Sequence, residues 1–273
     1  MRFRFWRELQ FLGFHMRIVF LAVDDEFAGE MQRPLYESHP EWIVGSVISS
    51  CKVYKHSDFE AALMILRKSG FVFLVNMTYI KMLKYFLPKH KPFLPSQLAT
   101  QHGVEQFKSV DINDLQSVGK LQSWSPDLII STNFSHYIAK TVREAIARNG
   151  CWNLHKSLLP QYRGMAPSFH ALLEGAEKVG ATLHVVAKGF DTGDLLAQAE
   201  VPVIESDGVY DLNRKTSIAG GRLLASFLER YDPHSTKTIP QPSGDWRNYT
   251  YPTRAEVRAF RRKGLRFYSL NHE

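Results

Sequence analysis

"RIVFLAV" at 17–23 is an uninterrupted apolar run, short and rich in β-branched residues, and it reads as the first buried strand of a sheet. A second such run, "WIVGSVIS" at 42–49, follows "FAGEMQRPLYESH", which predicts a helix broken or bent near Pro34. "DFEAALMILRKSG" predicts a helix ending at Gly70, and "PDLIIST" at 126–132 another buried strand after a helical "DINDLQSVGKLQSW" with an aspartate available as its cap. Strands alternating with helices in this way mean an α/β protein. Residues 71–95, aromatic and basic, find no place in the alternation.

Downstream the pattern continues with a helix around 138–149, a strand in "CWNLHKS" and a helix in "APSFHALLEG", with Pro167 near its first turn and Gly175 near its end. "ATLHVVAKG" and "DLLAQAEVPV" are two strands bracketing the turn "FDTG". The next helix, with apolar Val209, Leu212, Ile218, Leu223, Leu224 and Phe227, is interrupted at Gly220-Gly221. Beyond Tyr231, "DPHSTKTIPQPSGDW" reads as a linker or surface-hugging loop, and "PTRAEVRAFRRKGLRF" as a short basic helix. The expected organisation is an extension at 1–15 from an upstream start, a domain over 16–230 and a C-terminal tail over 231–273.

The 273 residues, 44% hydrophobic and 22% charged, have an ordinary globular composition that argues against a disordered or fibrous chain. Cys51 and Cys151 lie a hundred positions apart in strand-like segments and read as reduced buried thiols. No apolar run approaches the roughly 18 residues of a membrane span, and Glu8, His15 and Arg17 interrupt the one stretch that resembles a signal peptide. A cytoplasmic location is therefore expected. The net charge of +7 favours anionic partners without choosing among phosphates, nucleic acid and a polyglutamylated cofactor.

The chemistry concentrates in "NLHKSLLPQYRG" at 153–164. Asn153 and His155 sit two apart on a strand and so project from the same face. The amide offers N–H donors to an oxyanion, and the imidazole shuttles a proton near neutrality. A carboxylate from Asp191 in "FDTGD" would favour protonated His155 and fix its orientation, although an aspartate in such a turn is more often a local turn former. His136 and His184 fit ordinary strand or loop histidines, His184 above all, and His170 a cap or ornament of its helix. Arg163 suits a phosphate or carboxylate as well as it suits a structural ion pair. Neither an H-E-x-x-H nor paired C-x-x-C motifs point to a metal.

"NLHKSLLPQYRGMAPSFHALLEG" followed by "GATLHVVAKGFDTGDLLAQ" resembles the folate-dependent formyltransferase family, whose signature is N-x-H, S-L-L-P, Y/W-R-G and a later D-x-G with a downstream glutamine. The resemblance runs in order over about residues 16–205. It implies a Rossmann-like fold with a mixed, mostly parallel sheet and a short C-terminal extension, 10-formyltetrahydrofolate as co-substrate, no metal, and catalytic roles for Asn153, His155 and Asp191. It also implies a folate pocket of Ser157, Leu158, Leu159 and Pro160, of Lys188, Gly189 and Phe190, and of Phe134, His136 and Tyr137, this last segment departing from the family's pattern. Tyr162, Arg163 and Tyr79 are expected on the side of the acceptor.

Three acceptors are usual in such enzymes. The segment after the first strand, "LAVDDEFAGEM", lacks the glycine-rich turn that cradles the phosphate of glycinamide ribonucleotide. About forty residues after Tyr231 are too few for the barrel with which methionyl-tRNA enzymes help hold their substrate. A nucleotide-linked amino sugar remains, such as GDP-perosamine or a dTDP-amino-dideoxyhexose used for O-antigen and lipopolysaccharide, its nucleotide running toward Phe73, Tyr79 and Tyr85, aromatics for which core packing is the commoner role and stacking on a base the alternative. The expected partner is that small molecule, with no membrane, no nucleic acid and room for a homodimer. A methionyl-tRNA formyltransferase-like enzyme and a 10-formyltetrahydrofolate hydrolase are the alternatives.

Overall fold

The computed structural model describes residues 16–50, 56–86 and 93–269, and of 79–86 only the backbone. Strand β1 (Ile18–Val23) is buried at all six positions, the near-continuous apolar run of a strand covered on both faces. Asp25 then accepts the Ala28 N–H and caps helix α1 (Glu26–Ser38), which leads to β2 (Ile43–Ser49). Helix α2 (Asp58–Ser69) starts from a Ser57/Glu60 capping box and stops at Gly70, as its sequence predicts. Residues 71–95, unplaced from sequence, contain helix α3 (Phe71–Phe86).

Helix α4 (Pro95–Gln101), β3 (Gln106–Ser109), α5 (Leu115–Ser123), capped by Asp114, and β4 (Leu128–Thr132) follow. A short π-helix over Thr141–Ile146 stands within the helix expected at 138–149 and precedes β5 (Cys151–His155). The remaining elements are β6 (Arg163–Gly164), α6 (Pro167–Glu174), β7 (Lys178–Val185), β8 (Leu195–Pro202), α7 (Val209–Leu228), β9 (Asn248–Tyr249) and α8 (Arg254–Arg262).

The main sheet has the order β3-β2-β1-β4-β5-β7-β8. Its first five strands are parallel, β7 pairs antiparallel with β5, and β8 pairs antiparallel with β7. The fold is thus α/β and Rossmann-like with a mixed, mostly parallel sheet. One face is covered by Met31, Leu35 and Tyr36 of α1 and Leu224 and Leu228 of α7; the other takes Leu121, Trp124 and Val142. The chain runs outward from β1 through β2 and β3, then resumes at β4 on the other side of β1. This reversal opens a crevice at the carboxyl ends of the strands.

Two expected helix breaks do not occur. Helix α1 runs unbroken past Pro34, and α7 runs unbroken through Gly220-Gly221. Close packing explains both glycines. A Cβ on Gly221 would stand 2.5 Å from Glu30 O, the carbonyl that Pro34, lacking an N–H, cannot satisfy in the helical pattern, and one on Gly220 would press on Ala181 and Leu154. The glycines let α7 lie close on α1 and the sheet. The last helix, expected as a short basic one, also packs inward: Val257, Phe260 and Phe267 are buried in a third apolar cluster with Phe73, Phe169 and Leu212.

Candidate active site

Strand β5 ends beside β4 at the carboxyl edge of the parallel strands and carries Asn153 and His155 on one face. Ser131, their neighbour on β4, lies in register with Asn153 and donates from Oγ to Asn153 Oδ1. On the other side β7 pairs antiparallel, setting His184 directly opposite Asn153. Asn153 Nδ2 donates to His184 Nε2 (3.0 Å), and His184 Nδ1–H donates to Val185 O (2.9 Å), which fixes the tautomer because a carbonyl only accepts. The β7–β8 connection brings Asp191 over this pair. Its Oδ1 accepts from Asn153 Nδ2 (3.4 Å) and stands 3.5 Å from His184 Nε2, while its Oδ2 accepts the Gly164 N–H (2.8 Å) and stands 3.6 Å from His155 Nδ1. Asp191 adopts φ +51°, a left-handed conformation that aspartate tolerates better than most residues.

His155 has acceptors on both sides, since Nε2–H donates to Tyr162 O (3.1 Å) and Nδ1 faces the carboxylate beyond hydrogen-bond length. Burial lowers its pKa and the Asp191 charge opposes that shift without cancelling it. The imidazole is therefore held neutral, with a free lone pair beside a carboxylate that would stabilise the proton it takes up. Burial would raise the Asp191 pKa, but the attraction that His155 and His184 exert when protonated, together with the Gly164 N–H, outweighs it and holds the carboxyl far below the usual range. The cluster can accept a proton at one atom and keep its countercharge fixed.

The loop after β5 is tied down from beneath. Leu159 N–H donates to Thr182 Oγ1 (3.0 Å), and Gln198 Nε2 donates to Leu159 O and Thr182 Oγ1 (both 2.9 Å), so the signature's downstream glutamine acts as a brace. Ser157 and Leu159 are buried and Leu158 packs on Gly180, so these expected pocket residues shape the loop from behind. Tyr137 and Phe190 are exposed and their rings approach to 6.2 Å, whereas Phe134 packs partly into the core beside His136. Lys188 and Gly189 lie on the connection before Asp191, where a Cβ on Gly189 would meet Thr192.

Several expectations change. His136 is buried, with Nε2 2.7 Å from Ser49 Oγ and Nδ1 accepting the Ile112 N–H (3.2 Å), which places it behind the crevice wall. His184, expected to be a bystander, belongs to the Asn153–Asp191 cluster. His170 neither caps nor decorates its helix: it is buried, with Nε2 3.0 Å from Thr250 O. Arg163 is buried and donates to Gln241 Oε1, an amide partner in place of an anion. Phe73 is a core residue in edge contact with Phe169 and Phe267. Tyr79 and Tyr85 lie on α3, with side chains outside the described residues.

Gln241 was invisible from sequence. It lies in the polar, proline-rich segment, yet its Nε2 donates to Asp191 O (2.9 Å) and Gly193 O (2.7 Å) while its Oε1 receives Arg163. The tail thereby clamps the turn that carries Asp191. Ser131 and His184 likewise join through strand register, which no spacing along the chain discloses. Among the described residues no cluster of three or more His, Cys, Asp or Glu could hold a metal, and no helix is long and apolar enough to cross a membrane.

The sequence profile of the formyl transferase family matches residues 89–228, just over half of the chain. A methionyl-tRNA formyltransferase from Geobacillus sp. (strain WCH70) is 38% identical over 130 residues, covering 48% of this chain and 41% of that protein. Another, from Geobacillus thermodenitrificans, is 36% identical over 143 residues, covering 52% and 44%. The chain thus spans less than half the length of these curated relatives. Phosphoribosylglycinamide formyltransferase from Anaplasma phagocytophilum superposes with a TM-score of 0.55 at 17% identity, over 79% of this chain and 86% of that one. An N-formyltransferase from Helicobacter canadensis, solved with folinic acid and dTDP-3-aminofucose, gives 0.56 at 16% identity, over 86% and 70%. At such identities the likeness is one of fold.

Proposed function

The chain belongs to the formyl transferase family, and on that premise we propose that it transfers the formyl group of 10-formyltetrahydrofolate to the amine of a nucleotide-linked amino sugar, such as GDP-perosamine, in the cytoplasmic synthesis of O-antigen and lipopolysaccharide. The observation that carries the reaction is the convergence of Asn153, His155 and Asp191 at the carboxyl edge of the sheet. Attack of the amine on the formyl carbon makes a C–N bond and a tetrahedral oxyanion. Asn153, by yielding the longer of its two Nδ2 bonds, and the imidazole would stabilise that oxygen. His155 would take the proton shed by the amine and return one to the folate nitrogen as its bond to the formyl carbon breaks. Asp191 would orient His155 and stabilise its charged form. Exposed Tyr137 and Phe190 are best placed to meet the folate, with Ser157–Pro160 and His136 shaping the wall behind them.

The acceptor reading is supported by the turn after β1. Asp24 is bonded to Ser96, Asp25 caps α1 and Glu26 lies in its first turn, so carboxylates occupy the place where a phosphate-cradling turn would offer bare N–H groups. This disfavours glycinamide ribonucleotide. A methionyl-tRNA acceptor is the second reading, favoured by the named relatives. Incubation with the formyl donor and a panel of GDP- and dTDP-linked amino sugars, read by mass, should show the gain of one formyl group, abolished in His155→Ala and Asp191→Ala while donor binding survives. Product from methionyl-tRNA and from none of the sugars would reverse the assignment of the acceptor, and near-normal turnover in either variant would remove the mechanism.

A further inference from the structure

The same loop that holds His155 forms one wall of a second recess, closed on the other side by the tail. Gln161, Tyr162, Glu174, Trp246, Arg247 and Tyr249 line a cavity of about 200 Å³. Whole small-molecule sites run to roughly 300–1,000 Å³, so this one suits a single planar ring system. Its walls are aromatic. The Tyr162 and Tyr249 rings lie 5.6 Å apart, the Arg247 guanidinium stands 4.6 Å over Tyr249, and Trp246 is held by its Nε1–H on Pro242 O (2.9 Å).

Glu174 is the polar hub of the recess. Tyr249 donates its hydroxyl to Glu174 Oε1 (2.8 Å), and Tyr162 lines the same recess beside them. Burial, reinforced by Glu174, pushes both phenols up to about 12, so both remain donors and leave the carboxylate as acceptor. Gln161 brings a side-chain amide to the same wall. Tyr162 joins the recess to the proposed reaction site: its ring lines the cavity while its carbonyl accepts from His155 Nε2 at 3.1 Å. A positive φ of 55° at Tyr162 gives the backbone this double use.

We propose that this recess seats the base of a nucleotide-bearing acceptor, stacked against Trp246 and Tyr162, and that Glu174 selects guanine. A carboxylate only accepts. Guanine presents two adjacent donors, N1–H and the N2 amino group, to its two oxygens; uracil and thymine present one N–H flanked by carbonyls that repel it, and the ring nitrogen of adenine beside its amino group is an acceptor. The Gln161 amide can supply the donor that guanine O6 requires. Stacking on aromatic side chains is tolerant of base identity, so the rings give affinity and the acid gives choice. The inference rests on the reading of the acceptor as a nucleotide-linked amine and names the part of it that is recognised.

Equilibrium dialysis of the full chain with GDP, ADP, UDP and dTDP tests it. GDP should bind at least tenfold tighter than the others, Trp246→Ala should weaken every nucleotide tenfold or more, Trp246→Phe should retain most of the binding, and Glu174→Gln should erase the preference for GDP. The Trp246→Phe variant guards against a fault in folding. Equal binding of all four nucleotides by the wild type, or unchanged GDP binding in both Trp246→Ala and Glu174→Gln, overturns the proposal. Guanine-selective binding that depends on these residues sustains it even if no sugar is formylated, an outcome that would instead defeat the proposed reaction. Formylation of a GDP-linked sugar with unaltered KM in Trp246→Ala would leave the reaction standing and remove the subsite.

Discussion

Acidification should destabilise this protein through His136, whose pKa burial lowers to about 4. The geometry supplies the cause. Nδ1 accepts the Ile112 N–H, so the neutral ring carries its proton on Nε2, toward Ser49 Oγ, and a second proton would set two donors face to face while charging a buried ring. An unfolded histidine titrates near 6.5, so between about 6.5 and about 4 the unfolded chain binds a proton that the folded chain refuses. The associated stability is intact above about pH 6.5 and drains as the pH falls, by about 1.4 kcal/mol per unit, or about 2 kcal/mol between pH 7 and pH 5. Urea unfolding at the two pH values should show this loss in the wild type, beyond whatever His136→Asn shows, because asparagine keeps an acceptor for Ile112 without titrating. Parallel losses in the two proteins would refute the reasoning. So would an NMR titration of the folded wild type placing His136 near 6.5.

Gly221→Ala places a Cβ 2.5 Å from Glu30 O and 2.9 Å from Met31 O, so thermal or urea melts should show a loss of about 1–3 kcal/mol, and a variant of undiminished stability would contradict the close α1–α7 contact. Gln241→Ala removes both supports of the Asp191 turn and the partner of Arg163; kcat for formyl transfer should fall at least tenfold with donor binding retained, and unchanged kcat would show that the clamp is dispensable. The acid limb of kcat/KM should lie below pH 6.5, because burial lowers the His155 pKa more than Asp191 raises it and the base stays neutral further into acid. Asp191→Asn removes the opposing charge, so the limb of any residual activity should move lower still; a shift upward would exclude His155 as the titrating base.

The parallel strands were legible because a strand covered on both faces must be apolar nearly throughout, as in Ile18–Val23 and Leu128–Thr132. The helix start at Asp114 and the stop at Gly70 follow from local capping chemistry that a short window contains. Helix α3 was not legible because its apolar residues serve both a core cluster and an exposed side, which blurs the helical period. The unbroken run through Pro34 and the glycine pair was hidden for a different reason: local propensity disfavours helix at both, and only the packing of α7 on α1 and on β7 overrides that preference.

For the site, the two-residue period of a strand is enough to put Asn153 and His155 on one face, and the family signature adds Asp191. Their mutual distances, the neutral state of His155 and the membership of His184, Ser131 and Gln241 arise only in the folded chain. His184 faces Asn153 because β7 pairs antiparallel in one register, and a slip of one residue would turn it to the other face. Gln241 reaches Asp191 from fifty residues away because the tail returns across the β7–β8 connection. Sequence by itself determined what local forces and strand period decide: the alternation of elements, the caps and the candidate pair on β5. Burial, register and long-range closure, which depend on contacts between distant segments, decided the electrostatics of that pair and the aromatic recess beside it.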